Sequence, residues 1–230
     1  MSEILKSVLP NLQNTQLFHE LNWEGSLEDY LKLVQENPRV TRNAFQRVYD
    51  MIVSHGIDEF LEHKKKITRY RLFRDDKHRG LDAVFGIDQS LSHLVDTFKS
   101  ASRSYGTEHR VILLHGPVGS AKSTIVRLLK KGLEEYSHTP EGAMYTFAWT
   151  NVENEMQCPM REEPLHLIPS DQRTTLINEL MRQSSDPSFP IQVEGDLCPA
   201  CRQMYRELMR QYKGDWFKVV DHVRVRRLVL

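Results

Sequence analysis

Residues 111–124 read Val-Ile-Leu-Leu-His-Gly-Pro-Val-Gly-Ser-Ala-Lys-Ser-Thr. An apolar run delivers a glycine-bearing turn, and a lysine followed by two hydroxyls then opens a helical pattern. This order of strand, tight loop and helix start is the layout of a phosphate-binding loop, where backbone N–H groups and a helix N-terminus face an anion. In this reading Gly116 makes the turn after the strand and Pro117 follows it. The amides of Val118, Gly119, Ser120, Ala121, Lys122 and Ser123 cradle nucleotide phosphates. Lys122 reaches the β- and γ-phosphates, and the Ser123 hydroxyl is a ligand for Mg2+. Thr124 is read as a helix residue rather than a second metal ligand. The usual pattern, Gly-x-x-x-x-Gly-Lys-[Ser/Thr], expects glycine at 121, where this chain has alanine. A positive φ there strains an alanine by ~1–2 kcal/mol, so weakened rather than abolished nucleotide binding is expected. The motif names a ligand, not a reaction.

Lys plus Arg and Asp plus Glu number 31 each, so the chain as a whole has no electrostatic bias toward nucleic acid or a membrane surface. No apolar run approaches the length of a membrane span. The first residues, Met-Ser-Glu-Ile-Leu-Lys, lack the apolar core of a signal peptide. Three cysteines in 230 residues do not make a disulfide framework, and a reducing cytoplasm is the expected location.

The first third reads as helical. Ser26 is placed to cap a helix carrying Leu27, Tyr30, Leu31 and Val34, stopped by Pro38. Thr41 is placed to cap the next, with Ala44, Phe45, Val48 and Ile52 on one face, and residues 57–61 read as a short third turn. Residues 63–79 hold Lys64, Lys65, Lys66, Arg69, Arg71, Arg74, Lys77 and Arg79 against Asp75 and Asp76. A solvated edge strand and linker is favoured there over a nucleic-acid-facing ribbon. A helix carrying Leu91, Leu94, Val95 and Phe98 precedes the loop, and Ile125, Leu128, Leu129 and Leu133 form the buried stripe of the helix after it. Residues 145–149 read as a second core strand. The alternation indicates an α/β fold: a P-loop NTPase core with a parallel sheet, nucleotide lying at the carboxyl ends of its strands. Beyond Thr150 come loops and two further helices, read as a helical, cysteine-containing insertion over 151–215. The expected organisation is a helical N-terminal region and basic linker over 1–80, then the nucleotide-binding domain over 81–230.

Hydrolysis by such an enzyme usually needs a second acidic site at a strand end. The best match, Val219-Val220-Asp221, is interrupted by Lys218. The chain stops on the apolar run Leu228-Val229-Leu230, which reads as truncation, so the polypeptide is expected to bind ATP better than it turns ATP over. Glu153 and Glu155 are acidic candidates for the γ-phosphate side, against ordinary loop acids. Bilobal protein-kinase signatures such as Val-Ala-Ile-Lys, His-Arg-Asp and Asp-Phe-Gly do not occur. Cys158-Pro and the pair Cys198-Pro-Ala-Cys201 suggest three thiolates for one Zn2+, with His166 the nearest sensible fourth ligand and His138 or His222 as alternatives. Unligated thiols, or redox use of the Cys-x-x-Cys pair, are the competing readings.

Several phrases together resemble one family: Phe85-Gly-Ile-Asp88, the loop with Lys122-Ser123, Cys158-Pro-Met-Arg-Glu-Glu-Pro-Leu-His-Leu-Ile-Pro169, Leu197-Cys-Pro-Ala-Cys201, and Val223-Arg-Val-Arg-Arg-Leu-Val-Leu230. They are similar to the N-terminal AAA-type domain of PrkA, the bacterial serine protein kinase family. The resemblance implies an AAA+-like core that binds ATP with Mg2+, within a serine/threonine kinase that transfers phosphoryl groups to protein substrates. It also implies that members continue beyond the equivalent of Leu230. Gly116, Gly119, Lys122 and Ser123 carry over, while no catalytic base does. The same residues fit a mechanical AAA+ ATPase, in which ATP drives homo-oligomeric ring assembly and acts on protein substrates without phosphorylating them.

Overall fold

The computed structural model describes residues 15–62, 65–150 and 155–230. In chain order these form helix α1 (Thr15–Leu21), strand β1 (Glu24–Gly25), α2 (Leu27–Glu36), α3 (Ala44–Ser54), β2 (Ile57–Glu62), β3 (Lys65–Tyr70) and α4 (Asp88–Ser102). Then follow α5 (Lys122–Ser137), β4 (Met144–Thr150), β5 (Glu155–Gln157), α6 (Ser170–Arg182), α7 (Pro199–Gln211), α8 (Trp216–Val220) and β6 (Val223–Leu228). The chain divides into two units, one of residues 1–36, 144–187 and 194–229, the other of 37–143, 188–193 and Leu230. Helices α2 and α3, neighbours in sequence, fall in different units.

In the first unit the strands lie in the order β1-β6-β4-β5. Every strand pair among the described residues is antiparallel, which corrects the parallel sheet expected from the helix–strand alternation. Only four residues separate β4 from β5, too few for the crossover a parallel pair needs. Strand β4 is buried along nearly its whole length, because Tyr145, Phe147 and Trp149 fill one side while Thr146 and Ala148 are covered on the other. Val223 and Val225 of β6 are likewise sealed. Helix α2 starts where Ser26 Oγ accepts the Asp29 N–H at 3.1 Å and the Asp29 carboxylate accepts the Ser26 N–H at 3.0 Å, a reciprocal cap. Its buried Tyr30 meets Tyr145 at a ring separation of 5.5 Å.

In the second unit α3, α4 and α5 enclose a core of Met51, Ile52, Phe73, Leu91, Val95 and Leu128. Helix α3 is capped by Asn43, not Thr41: the Asn43 side chain accepts the Gln46 N–H and Gln46 answers to the Asn43 N–H, both at 2.9 Å. Thr41 ends the preceding turn and donates its hydroxyl to Pro38 O at 2.7 Å. The turn expected at 57–61 is a strand. Ile57 pairs with Tyr70 and the β2–β3 hairpin runs on from there, since the β-branched Ile67 and Thr68 supply a partner.

Most of the described bases of this hairpin and the turn after it are answered by acids. Arg69 grips Asp88 with two hydrogen bonds of 2.8 and 2.7 Å. Arg71 and Arg74 both reach Asp58, Lys66 reaches Glu59, and Lys77 reaches Glu135. Lys64 lies outside the described residues. Arg47, buried, donates to Gly142 O and Ala143 O at 2.9 Å and to Val40 O at 3.2 Å, tying α3 to the stretch after α5. Gly142 is required there, because a Cβ would fall 1.8 Å from Tyr136 O.

Arg47→Met strands these carbonyls and is expected to lower the unfolding free energy by about 3 kcal/mol in urea denaturation. The Arg69 bonds hold the Asp88 carboxyl below its ordinary 3.8. A depressed carboxyl adds stability above the unfolded value and loses it as pH falls through the folded one. Asp88→Asn should therefore lower stability by about 1 kcal/mol at neutral pH, with the gap to wild type closing below pH 3.8.

Candidate functional site

Helix α5 begins at Lys122 because the residue before it leaves the helical backbone. Ala121 has φ 58° and ψ 12°, the left-handed conformation. Ile125, Leu128, Leu129 and Leu133 then carry the helix into the core of its unit. Alanine offers no side-chain acceptor, and the helix start receives no side-chain cap. The amides of Lys122, Ser123 and Thr124 precede the first intrahelical bond, from Ile125 N–H to Ala121 O at 2.9 Å. Uncapped amides at the positive end of a sixteen-residue helix form a natural anion seat.

The loop closes tightly in front of that seat. A Cβ on Gly116 would meet Ser120 Oγ at 2.8 Å, so any larger residue would push the Ser120 side chain aside. Gly119 has φ 82°. Lys122 Nζ folds back across the loop and donates to Gly116 O at 2.8 Å, Pro117 O at 2.5 Å and Ser120 Oγ at 2.8 Å. Ser120 Oγ in turn donates to Pro117 O at 2.8 Å. Val118 stands fully exposed at the tip, Ser123 is exposed on the first helical turn, and Thr124 is half-buried. A cavity of about 940 Å3 adjoins the loop, lined among others by Leu91, Leu94, Ile112, Leu114, His115 and Lys122.

The expected strand at 111–114 belongs to no ladder. Its Val111 and Leu113 side chains are 94% and 81% exposed. Asp221 ends no strand either. Asp215 caps α8 by accepting the Lys218 N–H, and Val219 and Val220 are helical, leaving Asp221 as the helix C-cap. Glu153 lies outside the described residues. Glu155 pairs with Arg226, which also holds Glu24.

The other unit brings the three cysteines together. Cys158, Glu162, Cys198 and Cys201 each offer a ligand atom, and all four atoms lie within 4.8 Å of one another. Cys158 extends the β5 pairing, its N–H donating to Phe147 O at 3.0 Å. The chain then turns sharply at Arg161, φ 51°. That turn returns Glu162 to the sulfur it has just passed, with Glu162 Oε2 3.3 Å from Cys158 Sγ. The same oxygen accepts the Cys198 N–H at 3.1 Å. Cys198 caps α7, with Pro199 in its first turn. Hydrogen bonding from the Cys201 thiol pulls Cys158 down to about 7, and the same bond together with burial pushes Cys201 up.

His166 is not in the cluster. Its Nδ1 faces Glu163 O and its Nε2 faces Glu194 O, both at 3.0 Å. It lies in a short 3-10 turn that begins at Pro164, whereas the left-handed Arg161 redirects the chain five residues earlier. His138 bonds to Glu134 O, and His222 bonds to Thr150 O and to the Tyr212 hydroxyl. Glu162 was missed in the sequence because its neighbour Glu163 is equally acidic. Glu163 turns elsewhere, accepting from Tyr30 and from the Leu165 N–H, and burial pushes its carboxyl up to about 7. The repeat of Cys-Pro at 158 and 198, with a ligand-type side chain three or four positions later, was the usable signal.

The family model of the PrkA AAA domain matches residues 25–228. The chain belongs to this family. It is similar to the "ATP-dependent protease PrkA" of Bacillus subtilis (strain 168), 37% identical over 198 residues, which cover 86% of this chain and 26% of that protein. It thus spans about a quarter of that relative's length. It is also similar to an "Uncharacterized protein in gldA 5'region" of Geobacillus stearothermophilus, 31% identical over 96 residues, 42% of this chain and 84% of that one. No solved structure matches. No helix among the described residues is long and apolar enough to cross a membrane.

With Ala121 left-handed, Ala121→Gly removes a backbone strain of ~1–2 kcal/mol against an unfolded-chain entropy term of up to ~1 kcal/mol. A net gain of about 0.5 kcal/mol in chemical denaturation is expected, whereas the β-branched Ala121→Val should lose more than 1 kcal/mol on the order given by the same strain.

Proposed function

We propose that residues 116–124 bind Mg-ATP, and that this domain uses the nucleotide to drive work on protein substrates as an AAA-type ATPase module. The observation that carries the reading is the uncapped start of α5 directly behind a glycine-closed loop, with the Lys122 ammonium folded across it. Phosphate oxygens are stronger acceptors than the loop carbonyls that now hold Lys122, so a triphosphate draws the ammonium onto itself. The first-turn amides neutralise charge from the other side, and the exposed Ser123 hydroxyl is positioned for Mg2+. The largely apolar cavity beside the loop gives the nucleoside a place to lie.

Phosphorylation of a protein serine is the reading that the kinase resemblance alone supports. The Bacillus subtilis relative is described in its printed name as an ATP-dependent protease, which pairs ATP with action on proteins. That favours the mechanical reading, with assembly of copies of the chain as part of it. Asp221 closes a helix rather than a strand, so turnover by these residues is slow compared with binding.

Calorimetric titration with Mg-ATP is expected to give a dissociation constant between about 1 μM and 1 mM, equivalent to about −8 to −4 kcal/mol. Lys122→Ala should weaken it at least tenfold while leaving the melting temperature of the free protein near wild type. No heat at millimolar Mg-ATP would sink the reading. With γ-labelled ATP the label should emerge as free phosphate, and label on a protein serine would restore the kinase.

A further inference from the structure

We propose that Cys158, Cys198, Cys201 and Glu162 form a site for a single zinc ion that fastens the 158–169 loop and the start of α7 onto strand β4. This site lies in the unit that does not contain the phosphate loop, and it is independent of the nucleotide reading.

The donor set fits zinc rather than a harder ion. Thiolates are soft ligands that select Zn2+ over Mg2+ or Ca2+, and three sulfurs with one carboxylate oxygen complete a tetrahedron. At a Zn–S distance of about 2.3 Å, sulfurs of a tetrahedral site stand roughly 3.8 Å apart. Ligand atoms already within 4.8 Å of one another therefore need to close by about an ångström or less. The ligands also arrive on rigid supports. Cys158 is pinned by the ladder bond to Phe147 O, and Cys198 and Cys201 ride the first turn of α7. Glu162 is locked by its own contacts to Cys158 and Cys198.

A second, separate feature points to the same occupant. The indole N–H of Trp149 is buried with no hydrogen-bond partner of the ordinary kind, in a side chain only 2% exposed. It lies against Cys201. A neutral thiol is a poor acceptor for such a donor, whereas a metal-bound thiolate is a good one, so the ion resolves a cost that packing alone leaves standing. The Glu162 N–H, 3.4 Å from Cys158 Sγ, offers a second donor to a bound thiolate.

Redox exchange, the other ordinary use of Cys-x-x-Cys, requires a sulfur that a partner disulfide can reach. Here the three cysteines are 1%, 7% and 0% exposed. Loading the site releases the thiol protons to solvent and leaves the ion bound to three thiolates and a carboxylate.

The chain, expressed with zinc in the medium and purified under reducing conditions, should carry one equivalent of zinc by elemental analysis. Its cobalt(II)-substituted form should show the thiolate-to-cobalt charge-transfer band of a multi-sulfur site. Stripping with a chelator should lower the melting temperature, and zinc should restore it. Glu162→Gln should weaken zinc binding at least tenfold, while His166→Ala leaves it unchanged. Less than a tenth of an equivalent of zinc in the wild-type protein, or a mass showing a Cys198–Cys201 disulfide in reduced preparations, overturns the site. Zinc lost in His166→Ala and kept in Glu162→Gln overturns the assignment of its fourth ligand.

Discussion

Helices α3 and α5 approach so closely at Gly132 that an added Cβ would lie 2.7 Å from Met51 Sδ and 3.0 Å from Leu72. Much else in that unit follows from this contact. It seats α5 against α3, with Ile125, Leu128 and Tyr136 completing the core. The helix cannot slide or rotate without driving a side chain into its neighbour. Its first turn is therefore fixed in space, and the loop before it has to reach that point by a route the backbone allows. Left-handed Ala121 and the tight approach of Gly116 to Ser120 are how it does so. The geometry of the loop is thus a consequence of packing nearly three turns further along the helix, at Gly132.

What could be read from the sequence was what depends on local chemistry. The helix after the loop, the cap at Ser26 and the core strand at 145–149 each follow from residues a few positions apart, and each is present. So is the convergence of Cys158 with Cys198 and Cys201, for which two Cys-Pro steps were the cue. What could not be read depends on partners distant in the chain. Residues 57–61 suit a turn until residues 65–70 provide a ladder. A parallel sheet is the natural guess from alternating elements, yet β4 finds β6, 70-odd residues on and pointing the other way. Asp221 resembled a strand end only because Asp215 was not seen as a helix cap.

The two clusters of polar atoms also differ in how they were hidden. In the loop every contributing residue is contiguous, so a linear pattern describes it. At the sulfurs the fourth member is decided by a single backbone torsion, the φ of 51° at Arg161. That angle selects Glu162 over Glu163 and over His166, and no side-chain pattern announces it, since left-handed arginine is uncommon. The basic stretch after residue 63 shows the opposite case. Its cations read as a solvated edge and linker rather than a surface for polyanions, and Asp58, Glu59, Asp88 and Glu135 lie where they meet most of the described ones.

Strand β1 joins the sheet by pairing Glu24 with Arg226, and β4 is flanked by a strand that begins only at Val223. On a ribosome, the aromatic face of β4 emerges long before the segment that will cover its edge. Residues 37–143 have almost all their partners in hand by then. Assembly should accordingly be ordered in time, with the helical unit able to gather first and the sheet waiting for the last residues of this stretch. Late closure of this kind makes the sheet the slow, aggregation-exposed half of the chain during synthesis.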